Sequence, residues 1–394
     1  MDQELVARRL SRSVRDPSRL RAQGHFLSLV PLLALFCSLH LLVAGVGDNP
    51  DVEVVYQLNL APSVVTASAD GAWVVGLDQS DRPQFRAVRV KKAAETAPFP
   101  TDAIARAEPS APITLDAVEA LHTDAKGIIW ILDNGRRSEM PPKVVAWNDE
   151  DSKVQMVRAL TSPATVPGSF LSDFVVDPDS PLVVISDPAN GANAALILLD
   201  RSSGVATRVL QGHASVIPDP AVILTLPRGM AAVKRLDGTT VLPHAGVRPL
   251  AMDRKAEWLY YAPVQSRHLF RIPMKLLRRG DASADAIAAA VEQYAYKPPC
   301  SSFVIDTKGN IHLGDIESRA IGVIEAGKRG YRVIASDSRL LWPDGLAFGQ
   351  DGKLYFFSRS LMPSAGNSKS SPLAVQTVHE LFRVKPVAEG RAGD

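Results

Sequence analysis

Apolar positions along the chain fall into short runs bounded by turns, not into helical stripes. One unit returns six times: a polar turn with Asp or Gly, a short apolar or aromatic strand, then a second turn. The copies read SADGAWVVGLD (68–78), TDAKGIIWILDNG (123–135), DPDSPLVVISD (177–187), DRKAEWLYYAP (253–263), DTKGNIHLGD (306–315) and GQDGKLYFFS (349–358). Their spacing is about 45–55 residues, with one interval of about 75, which is the repeat length of propeller blades of four strands. Most copies are followed by a second strand-length run, among them KVVAW (143–147), ALILLD (195–200), HLFRI (268–272), IGVIE (321–325) and ELFRV (380–384). These runs are rich in β-branched and aromatic residues with turn residues on both sides, as strands require. The segments at 200–210 and 325–334 predict hairpins joining the outer strands.

The pattern therefore predicts an all-β, six-bladed β-propeller over 51–386, with a tail over 387–394. A propeller must close, because an open ring leaves unpaired strand edges. The run VEVVYQLNL at 52–60 precedes the first full copy and is expected to complete the last blade. Helical signal is confined to the Ala-rich stretch 283–296, with Ser283 as N-cap. Residues 95–115 read as a connector. The long interval 211–246 reads as a covering element with a strand-like run at 221–226.

The N-terminus departs from this pattern. Arg8, Arg9, Arg12, Arg15, Arg19 and Arg21 precede an apolar run at 26–46 that approaches the ~20 residues needed to cross a bilayer. Residues 1–47 thus read as an export signal or an uncleaved membrane anchor, with everything after them translocated. The expected location is extracytoplasmic: secreted, periplasmic or tethered by that segment. Of two cysteines, Cys37 lies in this segment and Cys300 is alone in the propeller, so no disulfide can form within it. Net charge is only +2, and much of the positive excess sits ahead of the apolar run. Nucleic acid is accordingly excluded as a partner. The chain is read as a monomer.

Aligning the copies gives one position per blade just before the innermost strand: Ser63, Glu119, Asp173, Arg248, Ser301 and Asp344. In a propeller these converge at one mouth of the central channel. Asp78, Asp133, Asp187 and Asp315 end strands and are read as turn caps at the opposite face. His213 and His244, in the long interval, are read as loop histidines that alternatively reach over the channel as a general base. His122 is read as a packed or rim residue and His268 as a surface one. Trp130, Trp258 and Tyr260 are read as packing between blades. There is no nucleophile elbow, phosphate loop, dinucleotide fingerprint, zincin motif or WD signature.

Five segments carry a resemblance: GIIWILDNG, SDFVVDPDSPLVVISD, VLQGHASV, WLYYAPVQSRHLFRIP and RLLWPDGLAFGQDGKLYF. In order and spacing they resemble the yellow/major royal jelly protein family, over roughly 60–385, as in its bacterial members. The resemblance implies a secreted six-bladed propeller, some relatives of which bind small amines or other small molecules in the channel. A more distant resemblance is to gluconolactonase/regucalcin-type propellers, metal-dependent lactone hydrolases whose matching positions hold a cation. That alternative would use Glu119, Asp173 and Asp344 as oxygen ligands for calcium or another divalent ion. Arg248 counts against it, because a fixed positive charge repels a cation and competes for the carboxylates. The reading preferred from the sequence is a small-ligand propeller without a required cofactor. There Arg248 pairs with Asp173 or Glu119 around a polar pocket.

Overall fold

The computed structural model describes residues 49–392, apart from 80–81, 92–94, 109, 190, 227–228, 231–232, 235–239, 242–244 and 360–378. The export segment at 1–47 lies outside the described residues. Among the described residues no helix is long and apolar enough to cross a membrane.

Six antiparallel four-stranded sheets form the blades of a propeller. Their innermost strands are Pro62–Ala67, Val118–Thr123, Asp173–Val176, Val247–Met252, Phe303–Ile305 and Pro343–Phe348. The repeated apolar runs form the second strand of each blade, from Trp73–Leu77 in blade 1 to Leu354–Ser358 in blade 6. Most of these strands are buried along their whole length, since neighbouring blades cover both faces. This explains why they read as continuous apolar runs and not as alternation.

Each seam between blades holds one apolar cluster. Trp130 and Leu132 of blade 2 meet Phe174 and Ile185 of blade 3. Tyr260 of blade 4 meets Phe303 and Leu313 of blade 5 and stands edge-on to Tyr294, with ring centroids 5.0 Å apart. The sixth seam, between blades 6 and 1, joins Tyr355 and Phe357 to Trp73 and Val75. The ring is therefore closed. Closure comes from Glu53–Leu58, which pairs with His379–Val384 as the outermost strand of blade 6.

Three sequence expectations change. The 283–296 stretch splits: a helix capped by Ser283 spans Ala284–Ala289, and Glu292–Tyr296 is the outer strand of blade 4. The connector at 95–115 contributes the outer strand of blade 1, Thr96–Pro98, and a short helix, Asp102–Ala105. In the long interval only Thr225–Leu226 of the predicted run is strand, paired with Gly229–Met230. Val222 and Leu224 are buried instead. Propensity alone cannot separate these cases, because Ala-rich and apolar segments serve either element once tertiary contacts decide.

Candidate functional site

The innermost strands begin at one mouth of the channel, and the predicted ring sits there. Ser63, Glu119, Arg248 and Asp344 are each the second residue of their strand, and Asp173 is the first. Local geometry explains why their side chains turn inward. In four blades the pairing between the first and second strands slips at this point. Ser63 falls between the pairs Pro62–Leu77 and Val64–Gly76, and Glu119 between Val118–Asp133 and Ala120–Leu132. Arg248 lies in a similar slip, and Asp344 borders one. Such bulges leave an extra residue outside the pairing and re-aim its side chain. In blade 6 the slip includes Gly345 at φ +61°, in contact range of the blade 1 main chain at Val64, where a side chain would be strained.

The ring is an ion-pair network. Arg248 Nη2 stands 3.2 Å from Glu119 Oε1 and 3.7 Å from Asp344 Oδ2. Asp344 also meets Arg359, with Nε and Oδ2 2.8 Å apart. Arg359 Nη2 donates to Ser63 O at 2.7 Å, and Ser63 Oγ donates to Val118 O at 3.0 Å, joining blades 6, 1 and 2. Asp173 is not an ion-pair partner of Arg248. Its carboxylate accepts main-chain N–H bonds from Leu250 and Phe174, each at 2.9 Å. The expected Arg248 network thus forms with Glu119, and with Asp344 in place of Asp173.

Ser63, Glu119, Asp173, Arg248 and Asp344 line a cavity of about 600 Å³ running down the channel. Ser301 does not. It lies behind the wall, where Trp342 Nε1 donates to its hydroxyl at 2.8 Å, and it bonds Asp344. Its neighbour Ser302 lines the cavity in its place, accepting from Leu346 N at 2.9 Å. Two residues that sequence reasoning missed complete the mouth. Arg359 follows the second strand of blade 6, and Asn134, which follows that of blade 2, donates to Glu119 at 3.4 Å. Their main-chain N–H groups bond Trp342 O and Ala117 O, just ahead of the innermost strands. Asp78 occupies the same position in blade 1, bonding Ala61 O. The usable signal was the antiparallel pairing itself, which brings each second strand's end beside the first strand's start.

The same pairing corrects the strand-ending aspartates. Asp133, Asp187 and Asp315 cap turns as expected. Asp133 accepts from Asp116, Ala117 and Gly135, Asp187 from Phe170 and Ala189, and Asp315 from Glu317 and Ser318. They do so at the same end as the ring, not the opposite one, since Val118 pairs with Asp133 and Asp173 with Ser186. His213 is a loop histidine held by Ser215, 2.8 Å away, which continues to Tyr261 OH at 3.0 Å. His244 lies outside the described residues.

Burial and charge compete within the network. Burial raises the Glu119 pKa against the pull of Arg248 and Arg359. It pushes Asp173 up to about 7, despite its two main-chain donors. For Asp344, burial is outweighed by Arg359 and Arg248, and its pKa falls. For Arg248, burial works against the charge, but Asp344, Glu119 and Asp173 prevail and the pKa rises. The mouth thus holds one firm carboxylate and two reluctant ones.

A divalent cation does not fit these side chains. Among the described residues no three His, Cys, Asp or Glu groups converge as a ligand set. Glu119 and Asp344 have the Arg248 guanidinium between them, where a cation would have to sit.

With this geometry in view, similarity to known proteins is informative. The family model described as major royal jelly protein matches residues 117–382. No curated protein matches the sequence. Among solved structures, a luciferin-regenerating enzyme is 12% identical with TM-score 0.53, covering 88% of this chain and 98% of its own. Regucalcin from Agrobacterium tumefaciens, a calcium-binding protein, is 12% identical with TM-score 0.50, covering 86% and 97%. A gluconolactonase from Xanthomonas campestris is 11% identical with TM-score 0.50, covering 87% and 93%. At these identities the likeness establishes the shared propeller fold and nothing about ligands.

Proposed function

This chain belongs to the major royal jelly protein family, and from that premise we propose that its channel mouth binds or transforms a small polar molecule with a cationic group. One observation carries the reading. The carboxyls of Glu119 and Asp173 line one cavity at the channel mouth, and burial raises the pKa of each against the pull of Arg248. A ligand ammonium replacing water there would stabilise both anions and gain charge-assisted hydrogen bonds. Ser63 and Ser302, which also line the cavity, supply hydroxyls for a second polar group. Pockets of this kind combine a largely apolar wall with a few converging polar groups.

Thermal-shift and calorimetric titration of purified protein test this with small amines, matched carboxylates and, for the lactonase alternative, δ-gluconolactone with calcium. The expected result is stabilisation by amines that is lost in Glu119→Gln. Lactone hydrolysis that needs calcium and Glu119, without any amine response, would replace this reading by the alternative. We further propose that the propeller acts outside the cytoplasm, with residues 1–47 as signal or anchor. Cell fractionation with N-terminal sequencing of the mature protein tests that placement.

A further inference from the structure

We infer that Lys297 and Cys300 form a redox modification site, at which dioxygen joins Lys297 Nζ to Cys300 Sγ through a single oxygen atom. Neither residue lines the cavity, so the site is independent of what the channel holds.

A lysine is almost never fully buried unless a carboxylate accompanies it. Lys297 is 0% accessible, and among the described residues no carboxylate is in ion-pair contact with it. Its Nζ donates to the main-chain oxygens of Ser266 at 2.9 Å and Pro298 at 3.2 Å. The side chain that hydrogen-bonds it is the Cys300 thiol. Cys300 is equally buried, packed with Ala262 and Leu269 of blade 4 and with Phe303 and Leu313 of blade 5.

The connector between these blades fixes the meeting. Lys297 N donates to Arg267 O at 2.9 Å, just past the outer strand Glu292–Tyr296, and Pro299 O accepts from Ile316 N at 3.2 Å. Pro298 and Pro299 stiffen the backbone between the two side chains. Burial lowers the Lys297 pKa against the pull of Cys300 and raises the Cys300 pKa against the pull of Lys297. The pair therefore favours a neutral amine beside a thiol. An ammonium has no electron pair for a new bond. A neutral amine has one, and it can also take the thiol proton as sulfur reacts.

Other fates of the thiol are closed off. No second cysteine lies in the propeller to form a disulfide. Complete burial keeps out thiols the size of glutathione. Dioxygen is small, uncharged and apolar, so an apolar seam admits it. In the overall step the S–H bond, one N–H bond and the O–O bond break, while S–O and N–O bonds form. Sulfur and nitrogen each give up two electrons, and dioxygen accepts all four. Its second oxygen leaves with the two hydrogens as water. The bridge staples the end of blade 4 to the start of blade 5, one residue before Ser301, which holds Trp342 and Asp344 behind the ring wall.

The test uses the full-length protein, purified once in air and once without oxygen. Each sample is unfolded in guanidinium, alkylated with iodoacetamide, digested with trypsin and analysed by mass spectrometry. Trypsin does not cut before proline, so Lys297 and Cys300 stay on one peptide. From the aerobic sample that peptide should carry one more oxygen and two fewer hydrogens, and it should resist alkylation. Anaerobic protein should alkylate fully at Cys300, as should aerobic protein treated with dithiothreitol after unfolding. Lys297→Met, checked for folding by circular dichroism, should stay alkylatable in air. The wild-type comparison decides the matter even if that variant does not fold. Full alkylation of Cys300 after prolonged exposure to air overturns the inference. So does oxygen carried by sulfur alone, seen as added oxygen without loss of hydrogen, or a direct S–N bond, seen as loss of hydrogen without added oxygen.

Discussion

Arg248 of blade 4 and Glu119 of blade 2 skip the blade between them and meet at 3.2 Å between Nη2 and Oε1. Both are mostly buried, with side chains 19% and 13% accessible. Removing one partner leaves the other's charge without compensation. Replacement of Arg248 by Met is therefore expected to cost about 2 kcal/mol, less than a fully buried pair would because of the residual access. Adding Glu119→Gln should restore a good part of that loss. Urea unfolding of the two single variants and the double variant measures the coupling, and strict additivity would show that the pair contributes nothing.

Asp173 gives the mouth a pH signature. Its folded-state pKa is about 7, above its ordinary 3.8, so the fold favours the protonated form. Its contribution to stability is full below about pH 4 and is lost as pH rises through 7. Wild-type stability should carry this falling component between pH 4 and 7, and Asp173→Asn should lack it. Urea midpoints at half-unit pH intervals provide the comparison. Identical slopes for the two proteins would mean that Asp173 titrates normally.

The C-terminal tail docks under blades 5 and 6. Glu389 O accepts from Thr307 N at 3.1 Å and from Thr307 Oγ1 at 2.7 Å, and Gly390 N donates to Gly352 O at 3.1 Å. A Cβ on Gly390 would lie 1.9–2.2 Å from ring atoms of Phe348. Phe348 is fully buried and cannot yield. Gly390→Ala should release the tail and destabilise the protein by about 1–3 kcal/mol. Faster proteolytic trimming of the C-terminus, followed by mass spectrometry, reports the release. Unchanged trimming would mean that the tail is not held there.

Calcium provides a direct test of the ring's charge arrangement. With Arg248 between Glu119 and Asp344, millimolar calcium should leave the melting temperature unchanged. A specific site filled at a hundred times its Kd would add about 2.7 kcal/mol. An upward shift that disappears in Asp344→Asn would show that a cation displaces the guanidinium.

The blades were legible because each second strand is buried on both faces, which writes an uninterrupted apolar run into the sequence. The ring was legible for the same reason: its members sit four or five residues ahead of those repeats. Arg359 and Asn134 were not, because their role depends on which strand end lies beside which strand start, a property of pairing that composition does not encode. Ser301 was displaced by Ser302 because a one-residue difference reverses the direction of a side chain. The bulges at Ser63 and Glu119 carry no residue signature. His122, read as a packed or rim residue, lines the cavity edge-on to Phe174.

The pairing of Glu53 with Arg383 spans 330 positions of the chain. During synthesis, the strand Glu53–Leu58 waits for its mate until the chain has grown by about as many residues. Completion of the ring is thus a late event by construction, and contacts this distant in sequence form slowly. For that interval the waiting strand is a free edge able to join a neighbouring molecule's open blade. Whatever shields it during biogenesis decides how often the ring closes within one chain and not between two.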